Sequence, residues 1–331
     1  MTSAGRSASK AEDVKILFIA GYPRSGSTLL GRILGQQDGF VSLGEVRQVW
    51  RNGWADGQLC GCSQRLPDCA FWQSVAKKTW GDDRRVLQQV ISLQHRVDRW
   101  WRVPQIAFKR AFPRFRADLE SYSGWMSRLY DATRDVTGAR VIVDSSKDVS
   151  HGYILGALPP QFQVFVVHLV RDSRAVAFSS ASKKFDPGRG RDMQRAGALR
   201  AAIEWNVVNT LTWAKRWLDP RYLRVRYEDV ASDPRRSVSR ILRFLDESPN
   251  LFQPAEDDRM FLGANHTVSG NPMRFQEGTI AIRPDDAWRT RMQRRDRIVV
   301  SVLTWPARVW LGMDSRLRTE RVTSPGVRTE T

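Results

Sequence analysis

The sequence predicts an α/β fold: a P-loop-like, three-layer arrangement with a central, mostly parallel sheet and a helical insertion. Three observations predict it. Short apolar runs recur along the chain, each is followed at once by a polar cluster, and long helix-permissive stretches separate them. That alternation builds parallel sheets, because a parallel connection needs a crossover segment, usually a helix. The polar clusters all fall at the carboxyl ends of the predicted strands, where ligands bind in open α/β sheets.

The first run, Lys15–Ala20, leads into Gly21-Tyr22-Pro23-Arg24-Ser25-Gly26-Ser27-Thr28 and then the apolar helix start Leu29-Leu30. Strand, glycine loop and helix in that order frame a phosphate-binding loop. Its backbone N–H groups and the positive end of the helix suit an anion. Walker's pattern needs lysine where this chain has Ser27, and a different cation, Arg24, stands inside the loop. The loop therefore suits a phosphate-like group other than an ordinary nucleoside triphosphate. A second run, Phe40–Leu43, ends at Gly44-Glu45. A third, Val141–Val143, ends at Asp144-Ser145-Ser146-Lys147-Asp148, and a fourth, Val164–Val170, at Arg171-Asp172-Ser173-Arg174. Asp172 or Ser173 can cap the helix that follows. Ser179 lies eight residues after Arg171, about two turns on, where an arginine and a hydroxyl would suit a second phosphate; a salt-bridged helix start is the alternative. The fifth run, Tyr222–Val225, precedes Arg226-Tyr227-Glu228-Asp229.

Residues 72–135 interrupt the alternation with an Arg- and Trp-rich helical insertion carrying Trp72, Trp80, Trp100, Trp101 and Trp125. It suits either a lid over a substrate or, through Trp100-Trp101 with Arg99, Arg102, Lys109 and Arg110, contact with an anionic membrane surface. A packed helical layer with a solvated basic face is the plainer alternative. Residues 14–312 are expected to form one domain between flexible tails, 1–13 and 313–331.

The chain has 331 residues, with 53 Lys and Arg against 35 Asp and Glu, a net charge of +18. Such a surface favours anionic partners. No apolar stretch approaches the roughly 18 residues a membrane-spanning helix needs, and Met1 to Lys10 lack the apolar segment of a signal peptide. A cytoplasmic location is expected, with peripheral membrane contact open. Cys60, Cys62 and Cys69 share one ten-residue window, and no His or Cys nearby in sequence completes a four-ligand set. They read as three free thiols or a local disulfide with one thiol left over, and no metal is expected.

The glycine loop, Leu169-Val170-Arg171-Asp172-Ser173-Arg174-Ala175-Val176 with Ser179, and His266-Thr267-Val268-Ser269-Gly270-Asn271-Pro272-Met273-Arg274 together resemble the sulfotransferase family. Val225-Arg226-Tyr227-Glu228-Asp229 with Asp233-Pro234 and Phe244-Leu245 is similar too, as is the Cys60-Gly61-Cys62, Cys69, Trp72 insert to that of many bacterial members. The resemblance runs from about Val14 to Trp288, and its style is that of the carbohydrate and protein-tyrosine enzymes. It implies 3′-phosphoadenosine 5′-phosphosulfate (PAPS) as donor. Arg24, Ser25, Gly26, Ser27 and Thr28 would then grip the phosphosulfate, Arg171 and Ser179 the 3′-phosphate, and Gly270, Asn271 and Arg274 would cover the nucleotide. Tyr227 would stack on or hydrogen-bond the adenine, or else serve as a core aromatic. The resemblance places Glu45 as general base and Lys147 at the bridging oxygen, with a salt bridge to Asp144 or Asp148 the alternative for Lys147. Cytosolic small-molecule relatives use a histidine instead, which makes His151 the rival base; His168, inside an apolar strand, reads as a satisfied core residue. The acceptor is a hydroxyl on a glycan, glycolipid or small molecule, with no specific nucleic-acid partner. A kinase, with Asp144 as Mg²⁺ ligand, and a non-catalytic basic surface protein are the competing readings.

Overall fold

A computed structural model describes residues 14–81, 83–249 and 259–313. Both expected tails lie outside the described residues, apart from Met313, which is buried. The chain opens with β1 (Val14–Ala20), α1 (Ser27–Leu34) and β2 (Phe40–Gly44). After short 3₁₀ and π-helical turns come α2 (Ala70–Thr79), α3 (Arg84–Val97), α4 (Val103–Ala107) and α5 (Pro113–Thr137). The sheet resumes with β3 (Val141–Lys147), α6 (Val149–Leu155), β4 (Phe162–Val170) and α7 (Ser173–Ala181). A small hairpin, β5 (Phe185–Asp186) and β6 (Arg191–Asp192), leads to α8 (Ala198–Ala214), β7 (Tyr222–Arg226), α9 (Tyr227–Ser232) and α10 (Pro234–Phe244). The last elements are β8 (Arg259–Leu262), β9 (Gly278–Ala281), α11 (Trp288–Arg291) and α12 (Arg294–Trp310).

Among the described residues five strands form one parallel sheet in the order β2-β3-β1-β4-β7. Its strands are mostly apolar because helices cover both faces; edge strand β7, with Arg224 and Arg226, is only partly buried. Along β1, Val14, Ile16, Phe18 and Ala20 point into one core with α2, α5 and α6. Leu17 and Ile19 point into the other with α1 and α10. The two-residue period of a strand thus feeds two helical layers, the three-layer α/β architecture the alternation predicts.

The first crossover leaves a gap that β3 fills, so β2 pairs with β3 and not with β1. Glu45 therefore stands next to Lys147 at the end of β3.

Candidate active site

The loop after β1 is held in conformations that need its residue types. Gly26, at φ 89°, caps α1 in the left-handed region, and a Cβ there would sit 2.4 Å from the Tyr227 ring. Arg24 is itself left-handed at φ 71°, uncommon for a residue with a side chain. Its Nη2 donates to the Ser179 carbonyl at 3.0 Å and its Nη1 lies 3.1 Å from the Met193 sulfur. Burial, and then the neighbouring Arg171 charge, push the Arg24 pKa down.

Arg171, delivered by β4, donates to the Arg24 carbonyl at 2.9 Å and to Asp285 at 3.0 Å, and lies 4.4 Å over the Tyr227 ring. Tyr227 at the start of α9 thus stacks with a candidate phosphate ligand while closing the loop at Gly26. Asp172 caps α7 by accepting from the Arg174 N–H at 2.8 Å. Arg171 precedes α7, so it shares no helix face with Ser179, which meets the loop through its carbonyl, an acceptor for Arg24. Sequence reasoning missed Lys184, which donates to Asn271 at 3.3 Å. Its pKa is lowered by burial and then by Arg24. It completes a convergence of cations that no spacing rule reveals, since it follows α7 in an irregular segment.

Gly44, at φ 76°, ends β2 with backbone so close to Val268 that a Cβ would lie 2.6 Å from its carbonyl oxygen. Glu45 follows, its N–H donating to that carbonyl at 2.8 Å. Its carboxylate is ion-paired with the Lys147 ammonium, and both side chains are largely buried. Lys147 is left-handed at φ 68°, where β3 shifts register against β1. Its partner is the candidate base itself, not Asp144 or Asp148.

Both groups line a cavity of about 870 Å³ together with Arg24, Gly270, Trp100 and Ile203. The segment 263–276 forms part of its wall. The Asn271 N–H donates to Thr28 at 3.2 Å, and Gly270 approaches both Thr28 and Glu45 closely. Arg32, which sequence reasoning missed inside α1, is fully buried and donates to the carbonyls of Met273, Gln276 and Gly263. An arginine in the middle of an otherwise apolar helix face was the signal that could have found it. Arg32→Met would leave those carbonyls without their donor. Denaturant unfolding should show a loss of about 1–3 kcal/mol, and an unchanged midpoint would remove the tether. Arg274 is fully buried, with Asp186 and Glu45 among the charges acting on it, and burial lowers its pKa. All three of its guanidinium nitrogens lack hydrogen-bond partners among the described residues. The Arg171 Nε and Ser25 Oγ are orphaned as well.

The other candidates lie elsewhere. His151, the rival base, is fully buried in α6, 2.9 Å from Asp144 and 3.7 Å from Asp98. It is a core ion-pair partner rather than a group at the cavity. Asp144, the Mg²⁺ ligand of a kinase reading, accepts from Tyr130 and Ser146 and pairs with His151. Its lone pairs are committed to the core, so that reading loses its ligand. His168 is buried between Tyr222 and Asn209, and burial holds its pKa down to about 4.

A parallel sheet ending in a glycine loop with clustered arginines defines a phosphate- or sulfate-handling α/β protein. Residues 17–250 match the model of the sulfotransferase family (Sulfotransfer_3), and the chain belongs to that family. It is a sulfotransferase. No curated protein matches the chain. Among solved structures it is similar to the sulfotransferase domain from the curacin biosynthetic pathway, at 21% identity and TM-score 0.48 over 88% of this chain and 98% of that one. The sulfotransferase domain of the Synechococcus PCC 7002 olefin synthase gives 21% and 0.46 over 88% and 94%. Retinol dehydratase in complex with androsterone and the inactive cofactor PAP gives 16% and 0.40 over 92% and 82%. No helix among the described residues is long and apolar enough to cross a membrane.

Proposed function

We propose that this chain moves the sulfuryl group of PAPS to a hydroxyl of a glycan, lipid or small-molecule acceptor, by in-line transfer that needs no metal. The observation that carries the reading is the Glu45–Lys147 ion pair in the same cavity as Arg24. A proton acceptor and a cation thus share one reaction space with the phosphate loop. The chain also offers uncommitted donors that fit an anionic nucleotide: the orphaned guanidinium of Arg274, the Arg171 Nε and the Ser25 hydroxyl.

PAPS, when bound, supplies an activated sulfuryl group whose leaving oxygen belongs to a phosphate. The loop N–H groups with Ser25, Ser27 and Thr28 hold the phosphosulfate, Arg171 and Lys184 the 3′-phosphate, and Gly270, Asn271 and Arg274 the covering side. Glu45 takes the proton of the acceptor hydroxyl as its oxygen bonds to sulfur. The sulfur–oxygen bond to the phosphate breaks, and Lys147 with Arg24 meets the charge on the leaving oxygen. A sulfuryl group carries less charge than a phosphoryl group, so fixed cations suffice where a kinase needs Mg²⁺. Trp100, Ile203 and Val207 give the cavity an apolar wall, which favours an acceptor with an apolar body beside its hydroxyl.

Calorimetric titration with 3′-phosphoadenosine 5′-phosphate, with AMP and ATP as controls, tests the donor site. Binding that depends on the 3′-phosphate is expected, and equal affinity for AMP would overturn it. Arg171→Ala and Arg24→Ala should each weaken that binding roughly 10- to 100-fold, the worth of a charge-assisted hydrogen bond. Unchanged affinity in either variant would remove that arginine from the site. The exposed Trp100 and Trp101, flanked by Arg99 and Arg102, form the face for an anionic membrane. Pelleting with vesicles should then need anionic lipid; equal pelleting without it would dismiss the contact.

A further inference from the structure

The three cysteines of the insert do not stand alone. The fold brings His266, from the segment before Gly270, against them. The ligand atoms of Cys60, Cys62, Cys69 and His266 all lie within 4.8 Å of one another. Cys69 Sγ is 3.3 Å and Cys60 Sγ 3.8 Å from His266 Nδ1, and the Cys62 and Cys69 sulfurs are 3.6 Å apart. A tetrahedral zinc ion, about 2.3 Å from sulfur and about 2.0–2.1 Å from nitrogen, sets its ligands roughly 3.5–3.8 Å apart. Three of the six edges, at 3.3, 3.6 and 3.8 Å, lie near those lengths, and the other three are no longer than 4.8 Å. The expectation of no fourth ligand considered only sequence neighbours, whereas the partner comes from 197 to 206 positions downstream.

The surroundings are those of a built site. Cys60-Gly61-Cys62-Ser63 forms a tight knuckle in which the Ser63 N–H donates to the Cys60 carbonyl at 2.9 Å, with Ser63 at φ 66°. Gly61 is required there, because a Cβ would lie 2.0 Å from Asn265 Oδ1. The His266 ring is stacked 4.8 Å from Phe71 at 11°, and its carbonyl accepts from Trp72 Nε1 at 2.8 Å. The imidazole is thus oriented by groups other than the sulfurs, as supporting shells orient metal ligands.

We infer that Cys60, Cys62, Cys69 and His266 bind one structural zinc ion, which fastens the insert after β2 to the segment that covers the candidate active site. Three soft sulfurs and one imidazole in a closed tetrahedron are a structural zinc set, with no open position for a substrate. Two residues beyond His266, Val268 bridges both Cys60 and Gly44 and accepts from the Glu45 N–H. The metal therefore fixes the backbone that carries Gly270, Asn271 and Arg274. The inference concerns metal and segment alone, and stands whether or not PAPS is the donor.

Elemental analysis of the purified full chain should find about one zinc per chain. Growth with cobalt should give the intense visible ligand-field bands and the sulfur-to-cobalt charge transfer of a tetrahedral thiolate site. Cys69→Ser and His266→Asn should each lower metal content and blue-shift or abolish those bands. For the unaltered chain, where folding is not in question, a strong chelator should release zinc, expose three thiols to titration and speed amide exchange across 266–274. Metal-free protein with three reactive thiols would overturn the inference. So would a disulfide, seen as an intact mass lower by two hydrogens, or an iron–sulfur chromophore. Loss of zinc without faster exchange in 266–274 would overturn the fastening role.

Discussion

Glu45→Gln is expected to lower turnover by roughly 10²–10⁴-fold while leaving affinity for 3′-phosphoadenosine 5′-phosphate nearly unchanged, because the amide keeps the shape and loses the proton acceptor. The carboxylate is placed for that role by three constraints at once: left-handed Gly44 before it, the Val268 carbonyl on its N–H, and Lys147 on its side chain. Single-turnover assays with saturating donor separate the chemical step from binding. Full activity in the variant would end the assignment and move the role to another carboxylate that lines the cavity, such as Asp148. A parallel loss of nucleotide affinity would instead show that Glu45 serves mainly to organise Lys147.

His151→Leu should destabilise the fold by about 3–5 kcal/mol, the usual result of removing one partner from a buried charged group. Asp144 and Asp98 are both fully buried against it, and Arg47 with Ser150 remains for Asp98 alone. Burial works to lower the His151 pKa, but the charge of Asp144, the hydrogen bond to it and the Asp98 carboxylate 3.7 Å away outweigh it and raise the value to about 9. The folded state therefore binds this proton more tightly than the unfolded chain, whose histidine titrates near 6.5. The stability it contributes is complete below about pH 6.5 and is lost as pH rises through about 9, on the order of 3 kcal/mol in all. Urea unfolding at about pH 6 and about pH 9.5 should show that decline in the unaltered chain and a flatter profile in the variant. Equal slopes in both would show that His151 is neutral in the fold.

The five strands were legible because each is a short, mostly apolar run followed by a glycine or a charge. The phosphate loop was legible because its glycines and hydroxyls are adjacent in sequence. Pairings across the sheet were not. Whether β2 lies beside β1 or β3 depends on which slot a crossover leaves open, and nothing local to Glu45 encodes that Lys147 fills it. His266 could not be joined to Cys60, Cys62 and Cys69 by spacing, since the link runs through backbone contacts of Val268 and Gly61. Arg32 is fully buried under a segment more than two hundred residues later, so its partners could not be read from α1. His151 looked reactive because a histidine after a strand can be a base; its burial is set by α5 and the turn at Asp98, elements distant in sequence.

The position of β1 bears on how the chain is made. This strand is the centre of the sheet, hydrogen-bonded to β3 on one side and β4 on the other. Ribosomes synthesise it first, and about 120 residues separate Ala20 from Val141, its nearest partner strand. At about 5–20 residues per second, β1 waits roughly 6–24 s with both of its edges unpaired. The nascent chain therefore carries an apolar strand without its sheet partners throughout synthesis of the helical insertion. Substitutions in residues 15–20 should be felt as poor yield before they are felt as poor activity.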